Sequence, residues 1–297
     1  MNKWNLIVDV ALCENCRNCT LAAKDEHVGN DFPGYAAPAP ARGDDWIRIT
    51  RTVRGSAPMV DAAYLPTMCN HCDDAPCVKA GGGAVHKRDD GIVIIDPQKS
   101  RGRRDLVDAC PYGAIVWNEE REVPQAWIFD AHLLDAGWKE PRCSQACPTG
   151  ALRAVKQDDA AMRAQVLAES LEALRPELGT KPRVYYRNLH RFTKCFIGGS
   201  VVAAVDAVTE CVAGATVVVR KDGTEVARAL TDTFGDFKCD GFDRGSGTYA
   251  IEIADPRFGG AVASCVLGDS VYLGTLRLSQ APRPSAAEAA PALGSVA

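Results

Sequence analysis

The chain has 297 residues, a formal net charge of -4 and 24% charged residues, and its length leaves room for roughly two or three domains. Its nearly balanced charge, without a long basic or acidic run, argues against a nucleic-acid-binding protein. It contains no apolar run of about 18 residues and no apolar segment of signal-peptide type before its first cysteine, so we expect no membrane span, no secretory signal and a cytoplasmic location.

The first predicted element is a short apolar strand, Leu6 to Val10, which leads into Cys13, Cys16 and Cys19. Thiolates are soft ligands that select iron–sulfur clusters, zinc or copper(I). The C-x2-C-x2-C run is typical of a cubane [4Fe–4S] site, whose fourth ligand is usually a Cys followed by Pro. The position expected for that ligand holds Ala23, so the fourth thiolate must come from elsewhere.

A second cysteine triple follows residues 28–66, which are rich in Pro, Gly and Ala and are predicted to form an irregular insertion. The triple consists of Cys69, Cys72 and Cys77. A β-branched strand is predicted over residues 91–96. Two similar strings then follow, Cys110-Pro111-Tyr112-Gly113-Ala114 and Cys147-Pro148-Thr149-Gly150-Ala151. This internal repeat predicts two small ferredoxin-like modules over residues 1–157, each held together by its cluster.

The number of cysteines supports metal ligation. Thirteen are present, and nine of them precede residue 150. That is many for a cytosolic protein of this length and too few for a disulfide scaffold. Cysteines grouped at ligand spacing indicate metal binding in a reducing compartment.

Two ways of completing the triples remain open from the residues alone. One joins Cys147 to the first triple and Cys110 to the second, and the other exchanges them. Zinc is the rival metal, but zinc sites with four thiolates use two C-x2–4-C knuckles. Two triples, each with a distant single Cys-Pro, favour iron–sulfur clusters.

The C-terminal half is predicted to contain a helix and then a β domain. Apolar residues on one face predict a helix over 158–175, within a helical connector spanning 158–195. Seven short strands with a period of two predict an Ig-like β-sandwich over 196–280 that folds without iron. These strands are expected near residues 201–202, 215–220, 224–230, 237–239, 249–253, 261–267 and 271–278. Residues 281–297 are predicted to be a disordered tail.

The strings between the cysteines carry a resemblance that covers nearly the whole chain. They are Asp25-Glu26-His27, Pro33-Gly34-Tyr35, Asp90-Gly91-Ile92-Val93, Cys110-Pro111-Tyr112-Gly113, Ala131-His132-Leu133-Leu134 and Gly179-Thr180-Lys181-Pro182-Arg183-Val184-Tyr185-Tyr186. With them the chain resembles the iron–sulfur subunits of the dimethyl sulfoxide reductase superfamily, and among these the small subunits of pyrogallol–phloroglucinol transhydroxylases. The resemblance implies an α+β fold, with two ferredoxin-like iron–sulfur modules followed by an all-β Ig-like sandwich.

The same resemblance implies a set of ligands and a partner. One [4Fe–4S] cluster would be held by Cys13, Cys16, Cys19 and Cys147. The other would be held by Cys69, Cys72, Cys77 and Cys110. A large catalytic subunit would carry molybdopterin guanine dinucleotide, and the relatives add, remove or transfer hydroxyl groups on phenolic rings. This chain would be the non-catalytic electron-transfer subunit of the heterodimer.

Three other functions stay open. The chain could serve a related aromatic hydroxylase or catechol dehydroxylase that exchanges electrons externally. It could be a purely structural subunit whose clusters only hold its small modules together. A free-standing ferredoxin is the third possibility, but few small ferredoxins carry an Ig-like domain.

Subunits of the superfamily can hold four clusters, and the resemblance implies that two are missing here. The ligand positions of one are Gly81, Ser100, Arg103 and Leu106. Those of the other are Ala23, Trp127, Asp130 and Cys143. Cys143 is therefore expected to be a relic thiol.

The remaining cysteines and histidines are given structural interpretations. Cys195, Cys211, Cys239 and Cys265 are predicted to be small buried hydrophobic residues of the β domain. His71 could tune a cluster by hydrogen bonding or could be structural. His27 and His132 match strings of the family without an assigned chemistry.

Overall fold

The computed structural model describes residues 1–206 and 208–279, so the predicted tail at 281–297 lies outside the described residues. The chain divides into two compact units. The first comprises Met1–Val53 and Ala62–Thr193, and the second comprises Arg54–Asp61 and the described residues from Lys194 onward. Strands predominate, and none of the helices in the described ranges is long and apolar enough to span a bilayer.

The strands up to residue 193 are β1 (Lys3–Asp9), β2 (Arg48–Ser56), β3 (Met59–Thr67), β4 (Val85–Lys87), β5 (Val93–Ile95), β6 (Val116–Asn118), β7 (Val123–Gln125), β8 (Leu152–Gln157), β9 (Glu172–Ala173) and β10 (Val184–Arg187). The helices are α1 (Asn18–His27), α2 (Pro76–Gly81), α3 (Asp105–Asp108), α4 (Ala131–Asp135), α5 (Arg142–Gln145), α6 (Asp159–Ala168) and α7 (His190–Thr193). Most helices are only one or two turns long, so loops position many of the side chains.

A four-stranded sheet in the order β8-β1-β10-β9 organises the first unit. β1 lies in its interior, antiparallel to β8 and parallel to β10. Alternate side chains of a strand point to opposite faces. Leu6 and Val8 accordingly enter the main core, whereas Ile7 packs on the other face with Met162 and Leu171. Both faces of β1 are covered, which explains its apolar run.

The predicted helix over 158–175 is shorter in the structure and ends at Ala168. Asp158 caps its start by accepting hydrogen bonds from the amides of Ala160 and Ala161, at 2.9 and 2.8 Å. It ends because Ser170 has left-handed backbone (φ 50°) and the Leu171 amide donates to the Val166 carbonyl, as in a Schellman motif. The rest of the predicted helical connector contains β9 and β10, so a wholly helical segment over 158–195 is wrong.

The predicted irregular insertion at 28–66 contains two regular strands. β2 and β3 form an antiparallel hairpin, and its outer part, Arg54–Asp61, belongs to the second unit. β2 reads Arg-Ile-Thr-Arg-Thr-Val-Arg-Gly-Ser and lacks an apolar run. Its side chains are mostly exposed or half-buried, which is why the sequence pattern did not reveal it.

The strands of the second unit are β11 (Cys195–Val205), β12 (Val208–Cys211), β13 (Thr216–Lys221), β14 (Thr224–Leu230), β15 (Asp236–Phe242), β16 (Gly247–Asp255), β17 (Gly259–Leu267) and β18 (Val271–Leu278). One sheet has the order β14-β13-β16-β17, and the other groups β12, β15 and β18 around β11. Buried side chains from both sheets form one core. Each of the seven predicted strands overlaps a strand of the structure.

A buried ion-pair network lies in the second unit. The Arg54 guanidinium, whose side chain is 2% exposed, donates to both carboxylate oxygens of Asp240 at 2.8 Å and also to Asp61. Its Nη1 donates as well to the Lys194 carbonyl at 2.9 Å. The network joins the hairpin tip to β15 and to the residue before β11 through charged hydrogen bonds.

The four cysteines of the second unit differ in burial. Cys195 and Cys239 are buried in its core, as predicted, and Cys265 is half-buried. Cys211 is exposed at the end of the short strand β12, so the prediction that it is buried is wrong. Burial raises the pKa of the Cys239 thiol to about 11, which keeps it protonated near neutral pH.

Candidate metal centre

The loop that joins β1 to α1 carries the first three thiols. Its backbone is left-handed at Asn15 (φ 58°) and Arg17 (φ 61°), the residues between the cysteines. Such conformations curl a short segment tightly. The loop thus turns its thiols toward a common region rather than along an extended line.

Cys147, just after α5, joins this loop in space. Burial raises the pKa of Cys13, and the charges of Cys147 and Cys16 add to the effect. Burial also raises the pKa of Cys19 to about 11, with further contributions from Cys13 and Cys147. These four thiols therefore form one electrostatic group, called the first group below.

Cys69, Cys72, Cys77 and Cys110 form the second group. Burial raises the pKa of Cys69 well above its usual value, and the charges of Cys77, Cys110 and Cys72 act in the same direction. The pKa of Cys77 rises to about 11 through burial and then through Cys110 and Cys72. Cys110 thus interacts with thiols of the second triple, as Cys147 does with thiols of the first.

The donor sets suit a thiolate-bound cluster. All eight cysteines are free of disulfides, and each group offers four soft donors. Burial raises the pKa of five of these thiols, so a metal that binds must displace their protons. Within residues 1–206 and 208–279, no three His, Cys, Asp or Glu side chains are arranged to hold a single ion.

The two groups differ in exposure. In the first group Cys16 is exposed and Cys13 and Cys147 are half-buried. In the second group Cys72 and Cys77 are buried at 8% and 9% exposure. The first group is therefore the more exposed of the two.

His71, between two thiols of the second group, is 1% exposed. Its Nδ1 accepts a hydrogen bond from the Val93 amide at 3.1 Å, which places the ring proton on Nε2. Burial, followed by the charge of Lys87, lowers the pKa of His71 to about 3. The ring packs against Trp127 and Phe129, with centroids 5.4 and 5.5 Å away.

The structure brings together the four positions at which the resemblance places one missing cluster. The Arg103 amide donates to the Ser100 carbonyl at 2.9 Å, and the Arg103 guanidinium reaches the Gly81 carbonyl at 3.4 Å. Leu106 is fully buried in the same core as the second group. A side chain at position 81 would lie 2.8 Å from Val85 atoms, so no thiolate fits there without rearrangement.

The positions of the other missing cluster are occupied by a packed core. Ala23, Trp127 and Cys143 are all buried in the main core of the first unit. Burial raises the pKa of Cys143 well above its usual value, and the charges of Asp130 and Cys19 add to this. Asp130 is engaged elsewhere, because it accepts a hydrogen bond from the Arg142 amide at 2.8 Å.

Two histidine–carboxylate contacts next to this core, one buried and one half-buried, were not anticipated. His27 Nε2 lies 3.3 Å from Asp130 Oδ1, and His132 Nε2 lies 2.8 Å from Glu26 Oε1. Both pairs join a residue of α1 to a residue at α4. The strings Asp25-Glu26-His27 and Ala131-His132-Leu133-Leu134 were the available signal, but spacing alone could not show that they meet.

Comparison with known proteins gives the same class of site. A family model described as a 4Fe-4S dicluster domain matches residues 60–157. The pyrogallol hydroxytransferase small subunit of Pelobacter acidigallici is 44% identical over 94% of this chain and 100% of its own length. The arsenate respiratory reductase iron-sulfur subunit of Shewanella sp. (strain ANA-3) is 29% identical over 62% of this chain and 95% of its own. A tetrathionate reductase subunit of Salmonella typhimurium is 30% identical over 63% of this chain and 73% of its own length.

Proposed function

The chain belongs to the family of iron–sulfur subunits that includes the small subunit of pyrogallol hydroxytransferase, and on that premise we propose that it is the electron-transfer subunit of a molybdopterin-dependent transhydroxylase acting on phenolic rings. The observation that carries the proposal is the packing of Cys13, Cys19 and Cys147 on one core and of Cys69, Cys72, Cys77 and Cys110 on another. Each group would hold one [4Fe–4S] cluster, which when bound accepts and gives up an electron. The two groups would lie in ferredoxin-like modules, with an Ig-like sandwich as the second unit.

The partner would be a large catalytic subunit that carries molybdopterin guanine dinucleotide. The relative with 44% identity is itself a small subunit, which supports a heterodimer. This chain would hold no catalytic residue, and the complex would be cytoplasmic. Electron exchange would take place at the first group, since Cys16 is exposed there and the second group is more enclosed.

A redox-neutral reaction is consistent with the loss of the cluster whose ligand positions include Ala23 and Trp127. Ala23 and Trp127 cannot ligate iron, and both are buried in the packed core. Electron tunnelling weakens steeply with distance, so the loss of an intermediate cluster slows transfer between the survivors. A transhydroxylation needs no net electron export, because oxidation and reduction balance at the partner's metal.

Rapid-freeze EPR of the intact complex tests this function. With the phenolic substrate, we expect no redox change at the second group within one turnover, because net electrons do not leave the catalytic subunit. Dithionite serves as the control that both clusters are reducible. If both clusters change redox state within one turnover, a hydroxylase or dehydroxylase that exchanges electrons externally becomes the better assignment. If neither cluster changes and removal of the clusters leaves the activity of the assembled complex intact, the subunit is structural.

A further inference from the structure

A half-buried lysine contacts the loop that carries the second group. The ammonium of Lys87, at the end of β4, donates to the carbonyls of His71 at 2.8 Å and Cys72 at 3.0 Å. It also donates to the Gly91 carbonyl at 2.8 Å. Its side chain is 20% exposed, so water screens its charge only in part.

The charges around Lys87 do not cancel. Asp73 lies 3.0 Å from its ammonium and also pairs with the buried Arg183. Asp159 pairs with Arg183 and with Lys3, each at 2.8 Å. Three basic and two acidic side chains thus form one connected network with a net charge of +1, and Lys87 is its member at the loop of the second group.

Such a charge acts on the redox state of a bound cluster. A reduced cluster carries one more negative charge than an oxidised one, and burial penalises the more highly charged state. Reduction potentials respond to net charge, to hydrogen bonds and to solvent exposure. A fixed cation at the ligand loop therefore offsets the penalty of burial in the reduced state.

We propose that Lys87 is a tuning residue that raises the reduction potential of the cluster held by Cys69, Cys72, Cys77 and Cys110. This inference rests on the proposed function, since it requires a cluster at the second group. It assigns a redox role, besides a structural one, to the network formed by Lys3, Asp73, Lys87, Asp159 and Arg183. Lys87 donates to three backbone carbonyls besides its contact with Asp73, so three of its four contacts do not involve a side chain.

An EPR-monitored redox titration of the holo complex with dithionite tests the proposal. In the Lys87→Gln variant, we expect the ratio of reduced to oxidised cluster at a fixed potential to fall about tenfold, which corresponds to about 59 mV for a one-electron couple. Lys87→Arg should restore the potential because it keeps the charge. Lys79→Gln is the matched control, since Lys79 is close to Cys77 in the sequence but its side chain is 70% exposed.

A second variant covers the case in which Lys87→Gln fails to assemble. Asp73→Asn removes a negative charge from the same network, so it should shift the potential upward. A role limited to structure would not produce shifts of opposite sign from the two substitutions. An unchanged potential in either assembled variant would overturn the inference.

Iron analysis separates this inference from its premise. A wild-type complex without clusters would contradict the proposed function before any potential is measured. A complex with full iron content and an unshifted Lys87→Gln potential would contradict only the role of Lys87. The signal of the second cluster is identified by its persistence in the Cys16→Ser variant.

Discussion

Replacing Cys16 with serine is expected to remove about half of the iron from the complex, because two [4Fe–4S] clusters contain about eight iron atoms. Cys16 is the exposed member of the first group, so its loss opens that cluster directly to solvent. The thiols of the second group lie in a separate core with Leu106 and should keep their metal. Iron and sulfide analysis of the purified complex, together with its EPR spectrum, measures the outcome.

Two further substitutions control this experiment. Cys110→Ser should remove the other half of the iron, because Cys110 completes the second group. Cys143→Ser should leave the iron content unchanged, since Asp130 is already hydrogen-bonded and Ala23 and Trp127 offer no ligand. About twelve iron atoms in the wild type, or iron lost from the Cys143 variant, would show that a third cluster survives.

Replacing Arg54 with methionine is expected to destabilise the second unit by about 3 kcal/mol. Removing one partner of a buried ion pair leaves an uncompensated buried charge, which typically costs about 3–5 kcal/mol. Here Asp240 and Asp61, at 16% and 12% side-chain exposure, would lose their shared guanidinium and keep the ammonium of Lys238, at 3.7 and 3.2 Å, so we expect the lower end of this range. Hydrogen exchange read by mass spectrometry on peptides from β11 and β15 measures the loss in the intact chain.

Arg228→Met is the matched control for that substitution. Arg228 also pairs with a carboxylate, Glu225, but the pair lies on the exposed strand β14. Surface pairs contribute little to stability, so exchange in the second unit should be unaffected. Equal protection in the Arg54 variant and the wild type would show that the hairpin tip does not stabilise this unit.

The sequence predicted what depends on local spacing. The cysteine triples are separated by two to four residues, so a ligand loop can be inferred before any fold is known. The strands of the second unit alternate between buried and exposed side chains over several residues, and that period is visible in the sequence. The four-thiol grouping was left open by spacing and became a prediction only through the resemblance.

What the sequence did not predict depends on contacts between distant segments. Arg54 meets Asp240 across 186 positions, and Lys87 reaches the Cys72 carbonyl across 15. Nothing in the sequence next to Arg54 or Lys87 distinguishes it from an exposed arginine or lysine. The end of α6 was missed for another reason, since a serine with left-handed backbone occupies the place where glycine is the usual signal.

The parallel pairing of β11 with β18 has a consequence for synthesis on the ribosome. These are the first and last strands that follow Lys194 in the second unit, and their register joins Ile197 to Val271 and Ala203 to Leu278. The sheet around β11 therefore cannot be completed until residue 278 has been translated, whereas the first unit has all its strands by Arg187. At roughly 5–20 residues per second, the nascent chain spends about 5–20 s between these points. During that interval the first unit can fold and acquire iron. The Arg54–Asp61 hairpin tip cannot pack until the strands of the second unit have been translated.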